Sequence, residues 1–285
     1  MQKTALIPYA RLPRAHHGRH IVTSTVDVFG GAHWLLAERA PQPGGDVPLV
    51  DALVVSVHPD GNVELTELSA VRASGSYLGR LPDGRFLVAT SRARGHEDRD
   101  QVQIFDALGR QAASFFVGDA IEHLLTDEAG HIWVGHFDEN PAGIRRWNAT
   151  GQLTWTWDGA RIPGLVDCYA LNVSGTSAWA CTYTDFPLVE IRPDQRVTVW
   201  TNRIRGARAV AVHRHRVAFY GGYGEERNRL AHGELSETSV QPTDVGLLTL
   251  PNGDAPGRRR VAARGSRIYV QAEPFTTWSV FDLNS

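Results

Sequence analysis

Two observations predict an all-β fold: a cassette of about 46 residues recurs along the 285-residue chain, and each copy reads as short alternating strands separated by glycine turns. Leu87, Trp133 and Trp179 stand 46 residues apart. Around them, strand 77–80, the turn Pro82-Asp83-Gly84 and strand 86–88 align with 123–125, Glu128-Ala129-Gly130 and 132–134, and again with 169–171, Ser174-Gly175 and 178–180. A repeat of this length with four strands per unit is the signature of a β-propeller. The chain divides into six such units, which predicts a six-bladed β-propeller of four-stranded antiparallel blades.

The first unit takes strands 21–26, 32–36, 52–57 and 63–68, with a Pro/Gly-rich insertion at 41–48 and the turn Pro59-Asp60-Gly61-Asn62 before its last strand. The second continues through 101–105 and 113–117, the third through 144–147 and 153–157, the fourth through 188–191 and 197–200. The fifth is less regular, with 209–212, 216–220 and 230–235. The sixth offers 260–263, 268–271 and 278–281 and lacks a fourth strand. Residues 5–10 lie outside the first unit and supply that strand, so the ring is expected to close by joining the chain ends, which removes exposed sheet edges.

Residues Thr126-Asp127-Glu128-Ala129-Gly130-His131-Ile132-Trp133-Val134-Gly135 resemble the D-x-x-G-x-[IL]-W-V-G repeat of two-component-regulator-type and lyase-type bacterial propellers. The resemblance implies architecture, because the glycine is a turn residue and the tryptophan a blade-core residue. Six-bladed gluconolactonase and paraoxonase-like propellers hold calcium through acidic and asparagine residues at the heads of inner strands. Here those heads are Tyr, His and Arg, so that resemblance also stops at architecture.

Composition agrees with one globular domain over residues 1–285, since each repeat packs mainly on its neighbours. With 42% hydrophobic and 21% charged residues the chain can bury a sizeable core, and a net charge of −2 argues against a nucleic-acid or membrane surface. Residues 1–8 lack the apolar run of a secretory signal, and no stretch has the length of a membrane span. A cytoplasmic monomer is expected. The two cysteines, Cys168 and Cys181, face across a hairpin and are read as reduced thiols. No cofactor is expected and no metal-ligand spacing occurs, a divalent metal being left open.

In a propeller the heads of the inner strands and the loops joining strands two and three share one face, the default place for a ligand. The heads are Tyr77, His123, Tyr169, Arg208 and Arg259, with Ser24 or His20 in the first unit. The loops bring 92–100, 136–140, 182–185, 220–227 and 273–275. His123 and His136 are the candidate proton-transfer pair, flanked by Glu122 and Asp138, because a neutral imidazole works as a base near pH 7. Tyr77 and Tyr169 are candidate donors completing the catalytic set. Arg208 and Arg259 are candidate clamps for an anionic group, with Glu122, Asp138, Tyr183 and Tyr220 also placed against substrate. The alternative for each is ordinary surface polarity or pairing with acidic loop residues. These residues point to a small-molecule enzyme, a lyase, hydrolase or isomerase working by general acid/base chemistry. The competing reading is a non-catalytic platform for a protein or carbohydrate.

Overall fold

The computed structural model describes residues 2–40, 49–93, 99–138, 140, 143–157 and 166–285. It is all-β and divides into two compact units, Arg11–Trp157 and a second made of Met1–Ala10 with Asp158–Ser285. Two strands open the chain, β1 (Gln2–Ala5) and β2 (Ile7–Arg11).

The unit Arg11–Trp157 holds three four-stranded antiparallel sheets, each a meander. The first is β3 (His20–Val26), β4 (Ala32–Ala37), β5 (Leu49–Val57) and β6 (Val63–Arg72). The second is β7 (Ser76–Arg80), β8 (Phe86–Thr90), β9 (Val102–Phe105) and β10 (Gln111–Phe115). The third is β11 (Ile121–Thr126), β12 (Ile132–His136), β13 (Ile144–Trp147) and β14 (Leu153–Thr156). Faces of consecutive sheets pack on one another. Leu35, Val54 and Leu68 meet Leu78, Val88 and Phe105, and the other face of the second sheet meets the third through Leu87, Ile104, Ile121 and Val134.

The other unit repeats the plan. β15 (Cys168–Ser174), β16 (Ser177–Thr182), β17 (Leu188–Ile191) and β18 (Val197–Trp200) form one meander. The next is β19 (Ala209–His213), β20 (Arg216–Tyr220), β21 (Arg229–Leu235) and β22 (Val240–Thr249). The last is β23 (Arg259–Arg264), β24 (Arg267–Ala272) and β25 (Thr277–Asp282). The expected terminal pairing is present: β2 lies beside β25 as the fourth strand, with Tyr9 edge-on to Tyr269 at 4.9 Å. Strand β1 was not expected. It runs parallel to β22 and makes that sheet five-stranded, and the buried Leu6 carries the chain from one sheet to the next.

One turn explains most of the hairpins. In Leu81–Arg85 and Asp127–His131 the first N–H donates to the fifth carbonyl and the fourth N–H to the first carbonyl, with Gly84 at φ +89 and Gly130 at φ +83. This is a type I turn closed by a glycine bulge, which matches the twist of the flanking strands. The Asp127 carboxylate fixes it by accepting from the Ala129 and His131 N–H groups and from the buried Trp133 indole at 3.0 Å. The motif is therefore a cap that satisfies a buried indole donor, as packing of a tryptophan requires. The first sheet carries a variant of it, in which Asp27 accepts from the Phe29 and Gly31 N–H groups and binds His33 Nε2 at 2.9 Å.

Cys168 and Cys181 are buried thiols that form no disulfide. A bulge sets Cys168 opposite Thr182 and Cys181 opposite Ala170, so they are not the directly facing pair that the hairpin suggested. Among the described residues no helix is long and apolar enough to cross a membrane.

Candidate functional site

In the unit that ends at Ser285, three inner strands are tied together by one side chain. The buried Asn172 amide donates to the carbonyls of Val210 at 2.7 Å and Gly265 at 2.8 Å, and its oxygen accepts from Gly265 N–H. The starts of these strands carry Tyr169, Arg208 and Arg259, the heads that the repeat predicts.

Tyr169 stands at the centre of an aromatic cluster. The Arg208 guanidinium lies 4.8 Å over its ring, Tyr183 stacks on it at 6.2 Å, and Phe186 and Tyr223 meet it edge-on at 5.1 and 6.1 Å. Phe186 is buried, whereas Tyr183 and Tyr223 are 39% and 49% exposed, so the cluster has a dry floor and wet walls. Gly206, at φ +70, makes room for Tyr223, since a Cβ there would stand 2.8 Å from its ring. Burial, then its hydrogen bond to Tyr169, pushes the Tyr223 phenol up to about 12, with Arg208 opposing. Tyr223 is thus a proton donor at neutral pH. Flat apolar faces, phenol donors and a guanidinium together suit a ligand with a ring and an anionic group. Phe186 and Tyr223 were not singled out from sequence; their only signal is their place in loops next to Tyr183 and Tyr220.

Arg259 and Tyr220 do not serve as expected. The Arg259 guanidinium donates to the carbonyls of Pro256, Gly257 and Arg227 and covers the ring of Tyr220 at 5.2 Å. Tyr220 is fully buried, and that burial pushes its phenol up to about 12. Both act as a brace between loops, because a planar cation with several fixed donors can satisfy several carbonyls at once.

In the unit Arg11–Trp157 the predicted groups separate. The Tyr77 hydroxyl bonds the carbonyls of Ile121 and Glu122, each at 2.9 Å, tying the second sheet to the third at the level of Glu122. Burial, reinforced by Glu122, raises its phenol well above the ordinary range. A bulge on β11 pairs Ile121 with His136 but His123 with Gly135. Because strand residues alternate, His123 and His136 leave opposite faces of the sheet. This overturns their reading as one proton-transfer pair.

His136 is fully buried, donates from Nδ1 to the Asp119 carbonyl at 2.9 Å, and keeps Nε2 buried without a partner. Burial drives it down to about 4, and Arg145 adds to this. It is neutral at pH 7 and closed to solvent. Asp138 is exposed and pairs with Arg92 at 2.9 Å, 46 residues away, an ion pair at the surface. Residues 94–98 and Glu139, within the predicted loops, lie outside the described residues.

The chain Asp27–His33–Ser56 has the bond order of a hydrolase triad, with His33 Nδ1 2.8 Å from Ser56 Oγ. All three are buried, so no substrate carbonyl reaches the hydroxyl, and burial lowers the basicity of His33. Among the described residues no group of three or more His, Cys, Asp or Glu is placed to hold a metal ion.

No protein-family model and no curated protein matches the chain in sequence. Solved structures match it in shape. A streptogramin B lyase superposes with a TM-score of 0.52 at 12% identity over 97% of both chains. Virginiamycin B lyase from Staphylococcus aureus gives 0.51 at 12% identity over 95% of this chain and 97% of its own. A protein from Lactobacillus plantarum gives 0.54 at 11% identity over 88% and 78%. At such identities the likeness establishes the architecture: the chain is an all-β protein of the propeller type, similar in fold to the virginiamycin B lyases.

Proposed function

We propose that the meanders form a single six-bladed ring, one body over residues 1–285, in which β2 completes the last blade. The pairing of β2 with β25 supports this, as does the near-complete coverage of the streptogramin B lyase structure.

On that ring the chain binds a small molecule bearing a flat ring and an anionic group at the rim formed by Tyr169, Tyr183, Tyr223 and Arg208. One observation carries the reading: a guanidinium seated 4.8 Å over a tyrosine beside two further exposed tyrosines. Turnover there is of a non-covalent kind, the phenols donating to an oxygen that gains charge, and needs no resident cofactor. The shape likeness to lyases makes a lyase reaction the first to assay.

The test is calorimetric titration with 4-hydroxybenzoate, benzyl alcohol and acetate, followed by incubation with virginiamycin B and product detection by chromatography and mass spectrometry. Binding is expected to be tightest for 4-hydroxybenzoate and about 10-fold weaker in Arg208→Ala. Equal, weak binding of all three probes, unchanged in Arg208→Ala, would exclude this site. Binding without any turnover would leave the chain as a binding platform.

A further inference from the structure

A second cleft lies in the same unit, at the other end of β20 from Tyr220. It is an open groove of about 260 Å³, lined by described residues of β20, β21 and β22 together with Leu283. The strand register assembles its polar wall. Arg216 stands across from Glu234, and His232 lies two residues before Glu234 and across from Asp244, so all four project from one face. Between His232 and Gly233 the pairing slips by one residue. Thr243 is the extra residue, a bulge of the kind that re-aims side chains beside binding sites. The floor is apolar: Leu283 is buried and Phe281 meets the His232 ring edge-on at 5.8 Å, whereas Val217, next to Arg216, turns to the other face of the sheet.

Arg216, Glu234 and Asp244 are exposed and His232 is half-buried, so water rather than neighbouring side chains satisfies the wall. Among the described residues the only hydrogen bond made by these four side chains is the one that Asp244 accepts from the neighbouring Val245 N–H at 2.8 Å. Arg216 and Glu234 face each other without forming an ion pair, and His232, half-buried, makes no hydrogen bond. Two carboxylates can only accept and a guanidinium can only donate. A charged ligand that replaces this water on all of them pairs best if it carries both a cationic donor and an anionic acceptor. With a neutral imidazole the wall sums to −1, which disfavours a simple anion.

We propose that this cleft binds a small amino-acid-like zwitterion, its ammonium against Asp244 and Glu234, its carboxylate on Arg216 and its apolar side chain on the floor of Leu283 and Phe281. The volume suits this class: at roughly 30 Å³ per water it holds about nine water-sized units, close to the non-hydrogen atom count of leucine. The site is separate from the tyrosine rim and does not depend on it.

The experiment uses the intact protein with ¹³C-labelled histidine, the His232 ring signal being assigned with His232→Gln. Leucine, 3-methylbutylamine and 4-methylpentanoate are titrated in turn. Leucine should move the His232 signal, and each analogue should bind at least ~10-fold more weakly. Arg216→Gln should erase the preference for leucine over 3-methylbutylamine, and Glu234→Gln with Asp244→Asn the preference over 4-methylpentanoate. A His232 signal unmoved by leucine at ~10 mM, or equal binding of all three compounds, overturns the proposal.

Discussion

The guanidinium of Arg208 lies 4.8 Å above the ring of Tyr169, the residue to which the Tyr223 hydroxyl is bonded. A planar cation in that position holds the ring by cation–π attraction, and under the proposed function it also pairs with the anionic group of the ligand. Arg208→Lys keeps the charge but loses the flat contact. Affinity for a carboxylate-bearing aromatic should fall ~3–10-fold in Arg208→Lys and further in Arg208→Ala, while the melting temperature stays within about two degrees. Equal affinities in the wild type and both variants would remove Arg208 from the site.

The state of His136 sets a pH dependence. Its folded pKa is about 4 against an ordinary 6.5, so between these values the unfolded chain holds the extra proton. Stability should therefore decline as pH falls from about 6.5 to about 4 and level off below, by about 3 kcal/mol in total. His33 is shifted in the same direction by burial and adds to the same limb. Urea midpoints at pH 7.5 and 4.5 should differ less in His136→Gln than in the wild type. An unchanged difference would mean that His136 takes up its proton at the same pH in the folded and the unfolded chain.

Leu6, 2% exposed, is the one buried residue between the two N-terminal strands. Leu6→Ala should cost about 2–4 kcal/mol by leaving a cavity against Leu248 and Phe281. Chemical denaturation gives the figure. A loss under about half a kcal/mol would show that the terminal strands are not docked as described.

Ser56 is a structural hydroxyl. Ser56→Ala should destabilise the fold by about 1–3 kcal/mol, because His33 Nδ1 is then left buried without a partner. A fluorophosphonate probe should leave Ser56 unlabelled in the folded protein. Labelling there would restore a nucleophilic role.

Strands were legible wherever a short apolar run adjoined a glycine turn, as in β4, β8, β12 and β16, which are buried on both faces. Strand β22 was not, since Gln241, Thr243 and Asp244 with Pro242 break the pattern, and five consecutive positions face solvent. The parallel β1 depends on that hidden strand and was hidden with it. The repeat placed Tyr169, Arg208 and Arg259 at strand heads, but Arg259 is consumed by a carbonyl 32 residues away, a long-range contact that no local spacing records. The relation of His123 to His136 turns on one bulge, and a single extra residue reverses the face of every side chain beyond it.

The docking of Ile7–Arg11 against Thr277–Asp282 also has a temporal side. The first partner leaves the ribosome about 270 residues before the second, a wait of roughly 15 to 50 seconds at ordinary elongation rates. Throughout it, Ile7 and Tyr9 belong to a nascent strand with nothing to pair with. Such a chain depends on chaperone occupancy during synthesis, and slowing translation should lower its soluble yield.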